Sequence, residues 1–126
     1  MITLPIKKIS FGDRGERVAL NYLRNQGYEI LARNYKTRLG EIDIIGQESD
    51  IITFIEVKTR SSRSYGLPQE SVNFKKQNKI MRMALQYLQE HDLEGVSWRI
   101  DVVAVIMDRR THSVENIELI RNAVMR

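Results

Sequence analysis

The period of the apolar positions changes several times along the chain, and each change marks an element. Between Asp13 and Gln26, Val18, Ala19, Tyr22 and Leu23 recur at the spacing of one helix face, and Gly27 is a natural stop. Tyr28–Asn34 reads as a short strand or extended segment. Glu41–Gln47 and Ile51–Arg60 are two β-rich runs joined by the polar stretch Glu48–Asp50, which predicts a hairpin. Ser61–Gln69, with Gly66 and Pro68, reads as a loop. Helical spacing returns from Asn73 to His91, where Ile80, Ala84, Leu85 and Leu88 form the expected apolar face. Ile100–Met107 is almost continuously apolar and β-branched, which predicts a strand covered on both faces. His112 falls in an expected turn, and Ile117–Ile120 supplies a last edge strand. The order helix, strands, helix, strand, strand describes an α/β fold: a mixed sheet with a helix on each side or both on one.

Composition narrows the class. The 126 residues fit one domain, and 42% hydrophobic with 29% charged residues is an ordinary globular balance. Charges interrupt every apolar run well short of the roughly 20 residues that span a bilayer, so no membrane partner is expected. Met1–Ser10 carries Lys7 and Lys8 without an apolar segment and cleavage site, so it is not read as a secretion signal. With no cysteine there are no disulfides or thiolate metal sites, which suits the cytoplasm. Twenty Lys+Arg against sixteen Asp+Glu give a net charge of +4. The basic residues crowd into Lys58, Arg60 and Arg63 and into Lys75, Lys76, Lys79 and Arg82. Charge alone fits a solvated face as well as a phosphate-binding one.

The hairpin holds the chemistry. Glu41 and Asp43 are two apart on its first strand, Glu56 and Lys58 two apart on its second, and residues so spaced share a face. If Ser49 and Asp50 form a two-residue turn, Glu48 pairs with Ile51, and counting outward sets Asp43 opposite Glu56 and Glu41 opposite Lys58. A three-residue turn would break that register unless a bulge restored it. Carboxylates so close repel unless a cation lies between them. Mg²⁺ is commonly held by one or two carboxylates, water and substrate phosphate, with a neighbouring lysine to orient the attacking water or offset transition-state charge. On a solvated face the same residues would be surface ion pairs worth about 0–1 kcal/mol each. The apolar neighbours in FIEVKTR place them instead on a mostly covered strand, where charge without a function is costly.

GEIDIIG followed by TFIEVKTR resembles the D…(D/E)-x-K signature of the PD-(D/E)XK nuclease superfamily, which includes type II restriction enzymes and archaeal Holliday junction resolvases. The fuller set resembles the YraN-like family of small bacterial proteins over roughly residues 10–122. It comprises Gly15-Glu16, Ala19, Leu23, Gly27-Tyr28, Arg33-Asn34, Gly40-Glu41-Ile42-Asp43, Glu56-Val57-Lys58-Thr59-Arg60 and Arg99-Ile100-Asp101-Val102-Val103. That resemblance implies a restriction endonuclease-like core, a central mixed β-sheet flanked by α-helices, with an Mg²⁺ or Mn²⁺ site. Asp43 and Glu56 would be its metal ligands and Lys58 its catalytic lysine. Glu16 matches an acidic residue that completes the metal shell in resolvase-like members, while Asp13-x-x-Glu16 equally fits a helix capping box. Ile42 stands where the superfamily's name has proline.

Arg60, Arg63, Lys76 and Lys79 are candidate phosphate contacts. Glu41 is expected to support Lys58 or Arg60, or to join the metal shell. Gln77 reads as helix surface, with a place near the site as the functional alternative, and Asp101 as an anchor for a structural hydrogen bond. Trp98 and Tyr65 read as packing and loop residues, with base stacking as the alternative, and His91 and His112 suggest no ligand. The expected activity is metal-dependent hydrolysis of phosphodiesters in nucleic acid, with DNA, branched or processed, as the substrate. A junction cutter would need two sites and hence a homodimer. The alternative readings are a non-catalytic nucleic-acid-binding or assembly module on the same fold, and a protein-interaction domain.

Overall fold

The computed structural model describes residues 9–61 and 73–123. Its elements are α1 (Phe11–Asn25), β1 (Glu29–Thr37), β2 (Gly40–Glu48), β3 (Ile51–Arg60), α2 (Phe74–Glu90), β4 (Trp98–Met107) and β5 (Val114–Ile120). The five strands lie in one sheet in chain order. Only β3 and β4 run parallel, and α2 belongs to the crossover that a parallel join requires. The α/β mixed sheet is as expected, and the helices take opposite faces. Ala19, Leu20 and Leu23 of α1 pack with Ile44, Ile55, Val103 and Val105. Ile80, Met83, Ala84, Tyr87 and Leu88 of α2 pack with Ile42, Ile45, Phe54, Ile100 and Val102. No helix of the described residues is long and apolar enough to cross a membrane.

Several boundaries move for local reasons. α1 starts at Phe11, capped by Ser10, whose Oγ accepts from Asp13 N–H at 3.1 Å. The capping box starting at Asp13 is therefore not the helix start, and Glu16 lies a turn further in. Gly27, with φ of 94°, closes the helix while Tyr28 N–H donates to Leu23 O. On α2 the expected core residue Leu85 is 54% exposed, and Met83 and Tyr87 complete the apolar face instead. Trp98 starts β4 and sets its ring edge-on to Phe54, with centroids 5.7 Å apart, which makes it a packing residue. Tyr65, Arg63 and nearly all of the Ser61–Gln69 loop lie outside the described residues.

At the turn end of the β2–β3 hairpin a polar network ties distant elements together. Asp101 is fully buried. Its carboxylate accepts from Tyr28 Oη at 2.9 Å, Arg99 Nε at 2.9 Å and Asn122 N–H at 2.8 Å. Arg99 continues to Glu48, which also accepts from Arg121 at 2.9 and 2.6 Å. The bonds from Arg121 lead in holding the Glu48 carboxyl down at about 2. Its contribution to stability is thus present above the ordinary value of 4.5 and lost as pH falls toward 2. Asp101 is the structural anchor that its place at the head of an apolar strand suggests. Asp101→Ala leaves a guanidinium and a phenol without their buried partner, and a loss of about 3–5 kcal/mol in urea unfolding is expected. Asp101→Asn, which keeps an acceptor, should cost less, and equal losses would show that the negative charge and not the acceptor makes the anchor.

Candidate metal centre

The ladder between β2 and β3 has the expected two-residue turn, with Glu48 opposite Ile51, and keeps that register as far as Ile44 opposite Ile55. There the pairing stops, so Asp43–Glu56 and Glu41–Lys58 are not ladder pairs. The Val57 N–H donates instead to Asp43 Oδ2, at 2.8 Å. The alternation of β2 breaks at the same place. Ile42 packs on the α2 side and Ile44 on the α1 side, although residues two apart in a regular strand share a face. Across the β1–β2 ladder, between the partners of Ile44 and Ile42, Asn34 has φ of 51°. This kink sets Asp43 into the opening between the strands.

β3 stays regular through the opening. Ile55 and Val57 pack on the α1 side and Phe54 on the α2 side, so Glu56 and Lys58 share the α2 side. Glu56 is 4% exposed. Its Oε2 lies 3.2 Å from Lys76 Nζ of α2, and its buried Oε1 has no hydrogen-bond partner among the described residues. Burial, then the charge of Asp43, pushes the Glu56 carboxyl up. Asp43 is raised too, chiefly by burial, with the Val57 hydrogen bond and Lys76 opposing. Burial and the adjacent Lys76 ammonium bring Lys58 down to about 8.

α1 supplies Glu16 through a close approach. A Cβ on Gly15 would fall 1.9 Å from Thr59 Oγ1, so only glycine lets the helix lie this near β3. Burial and Asp43 raise the Glu16 carboxyl, with Arg33 opposing. With its amide turned so that the nitrogen faces the two carboxylates, the orientation that gives every group a partner, Asn34 donates to Glu16 Oε1 at 3.0 Å and Glu41 Oε1 at 2.7 Å. Glu41 thus has a partner in Asn34.

The fold therefore gathers Asp43, Glu56, Lys58, Glu16 and Glu41, with Lys76 closing the site from α2. Lys76 touches a carboxylate directly, a closer role than the phosphate contact its sequence position suggests. Lys79 lines a groove next to the site. Arg60 and Gln77 are half-buried on β3 and α2, and Arg63 is outside the described residues. Sequence reasoning missed the brace made by Asn34, whose signal is its place between β-forming residues: asparagine tolerates a left-handed turn that few residues enter.

Among the described residues no three His, Cys, Asp or Glu side chains are gathered closely enough to enclose a metal ion by themselves. The donor set nevertheless suits a hard divalent cation that keeps water and substrate oxygens in its shell. Glu56 Oε1 is buried without a partner, and two neighbouring carboxyls are both held above their ordinary values. A lysine ammonium already occupies the cationic position beside Oε2.

The model of the uncharacterised protein family UPF0102 matches residues 15–105, a span that includes Glu16, Asp43, Glu56 and Lys58. A UPF0102 protein of Alkaliphilus oremlandii is 47% identical over 114 residues, covering 89% of this chain and 96% of the relative. One from Desulforamulus reducens is 39% identical over 123 residues, covering 96% and 100%. A more distant one, from Myxococcus xanthus, is 36% identical over 113 residues, covering 90% of each. The chain belongs to the UPF0102 family, the YraN-like family that its motifs resemble.

A raised carboxyl contributes stability that is complete below its unfolded value, 4.5 for Glu56, and lost as pH rises through the higher folded value. Glu56→Gln mimics the neutral acid and escapes that loss. In chelator-treated protein its melting temperature should match the wild type near pH 4 and exceed it at pH 8. A lower value throughout that range would mean that the Lys76 ion pair outweighs the burial of charge.

Proposed function

We propose that this UPF0102 protein is a divalent-metal-dependent nuclease that hydrolyses phosphodiester bonds, with DNA as the expected substrate. The observation that carries the reading is Glu56, a nearly fully buried carboxylate with one oxygen unpartnered among the described residues, beside Asp43 and two residues from Lys58 on one strand face. Burying such a group is costly unless something it meets later offsets the cost.

Asp43 and Glu56 are the residues that would hold Mg²⁺ or Mn²⁺, while Glu16 of α1 bears on Asp43. A cation bound there would supply Lewis acidity, lowering the pKa of a water and offsetting charge that builds on the phosphoryl oxygens. The chain's own groups do the rest. The Val57 N–H fixes Asp43, and the Asn34 amide fixes Glu16. Lys58, with its pKa near 8, is an ammonium at neutral pH that exchanges its proton readily. It can orient the attacking water and stabilise the pentacovalent phosphorus as the new P–O bond forms and the bond to the leaving oxygen breaks. Lys76, on the other side of Glu56, balances the carboxylates and is placed to meet a substrate phosphate.

One observation favours a second reading, a nucleic-acid-binding module without turnover: Lys76 already neutralises one oxygen of Glu56. That reading predicts salt-sensitive binding and no cleavage with any metal.

Glu56→Ala and Lys58→Ala should each lower Mn²⁺-dependent cleavage of a branched or single-stranded DNA panel by at least about a hundred-fold while circular dichroism stays unchanged. Cleavage at the wild-type rate in both variants would dispose of the mechanism. In parallel, calorimetric titration of Mn²⁺ should show binding that Glu56→Ala removes.

A further inference from the structure

Lys76 stands where two features of the fold meet. Its ammonium lies 3.2 Å from Glu56 Oε2, and the same residue lines a groove of about 350 Å³ between the β1–β2 turn and the first half of α2. Lys75 and Lys79 line that groove with it, and Glu41 is the acidic member of the lining. The backbone at Lys76 is fixed, because its N–H donates to Oδ1 of the capping Asn73 at 2.9 Å. The side chain is 39% exposed, while that of Glu56 is 5% exposed. A long stem on a fixed backbone, with its end partly in the open, is re-aimed by side-chain rotation alone.

The contact that holds the ammonium is incomplete. Lys76 partners one oxygen of Glu56 and leaves Oε1 buried without a partner among the described residues. On its other side is Lys58, a like charge whose proton affinity burial and Lys76 together lower. Asp43 and Glu56 therefore already face the ammonium groups of Lys58 and Lys76, and Glu16 and Glu41 add negative charge further out against Arg33. A divalent ion entering with Lys76 in place would crowd its charge against both lysines, and like charges at close range repel strongly where water is excluded. Moving Lys76 to the groove relieves that repulsion. A phosphate held there with Lys75 and Lys79 gives the moved ammonium a new partner.

We infer that Lys76 is the resident counterion of the site, giving up Glu56 when a divalent ion binds and turning its ammonium to a phosphate in the adjoining groove, so that metal and polyanion bind cooperatively. The inference rests on the metal site of the nuclease reading and names how that site is regulated, and it does not require turnover.

Mn²⁺ affinity should be measured by calorimetry without nucleic acid, at about pH 8 to keep the Glu56 carboxyl ionised when its lysine is removed. Lys76→Gln should bind Mn²⁺ about ten-fold tighter than the wild type. Lys76→Arg, which keeps the charge, and Lys79→Gln, which removes charge from the groove alone, should tighten it by less than about two-fold. The reciprocal effect is read by fluorescence anisotropy on a labelled DNA duplex, with and without Ca²⁺ at constant ionic strength. Ca²⁺ should raise wild-type affinity for DNA about ten-fold, a rise that survives in Lys79→Gln and shrinks below about two-fold in Lys76→Gln. Unchanged Mn²⁺ affinity in Lys76→Gln, or Ca²⁺ coupling that is absent from the wild type or survives in Lys76→Gln, would overturn the inference even if Mn²⁺-dependent cleavage stands. Both expected changes without cleavage under any metal would instead remove the nuclease and leave Lys76 as the link between ion and polyanion.

Discussion

The site depends on one substitution of hydrogen-bond partners: the carboxylate of Asp43 takes the Val57 N–H that a neighbouring strand would otherwise have received. A buried N–H left without a partner costs about 1–3 kcal/mol, so an open ladder in mid-sheet has to be answered. Asp43 answers it, and the answer locks the acid in place. The kink that aims Asp43 also carries Ile42 to the α2 core while Ile44 stays on the α1 side. The apolar core therefore remains continuous on both faces while the polar gap lies between them. Were β2 to run on regularly, Asp43 would share the α2 face with Ile45 and pair in the ladder with Glu56, and the gap between the strands would not open.

The two ends of the β2–β3 hairpin show opposite uses of buried charge. Around Asp101, donors come from Tyr28, Arg99 and Asn122, and Glu48 carries the network on to Arg121. Satisfied in this way, a buried carboxylate holds elements together. Around Glu56 the same kind of group has one oxygen unpartnered among the described residues and a like charge beside it. Stability is given up at one end and secured at the other, the pattern expected where a fold reserves charge for a ligand.

Much of this was legible in the residues. The β2–β3 register followed from the two-residue polar turn, and the covered strand β4 from its unbroken apolar run, since both are local patterns. The motif names Asp43, Glu56, Lys58 and Glu16, and the fold sets Asp43 beside Glu56 and within reach of the charge of Glu16. The kink at Asp43 was not legible, because it arises from a pair of strands bending together, and Asn34 is a polar residue with several local uses. Lys76 was read as a phosphate contact, since its distance to Glu56 depends on how α2 crosses the sheet. Leu85 was misplaced because the apolar stripe of α2 is wide enough for either flank to face inward, and Met83 and Tyr87 took that place.

Lys76 links the carboxylates to the groove, and this linkage constrains how the two can work together. An ammonium at 3.2 Å from Glu56 Oε2 makes the buried acid tolerable in the absence of other cations. Its long flexible stem also allows the same charge to serve a nearby phosphate at little cost in backbone strain. A divalent ion brought in with substrate would compete for Glu56 just as the phosphate offers Lys76 a new partner, so the two exchanges favour each other. Lys58 cannot take this part. It projects from a rigid strand and is already depressed by burial and by Lys76, so relief of that crowding would raise its proton affinity. The lysine on the helix is thus the adaptable charge and the lysine on the strand the fixed one, a division set by the elements that carry them.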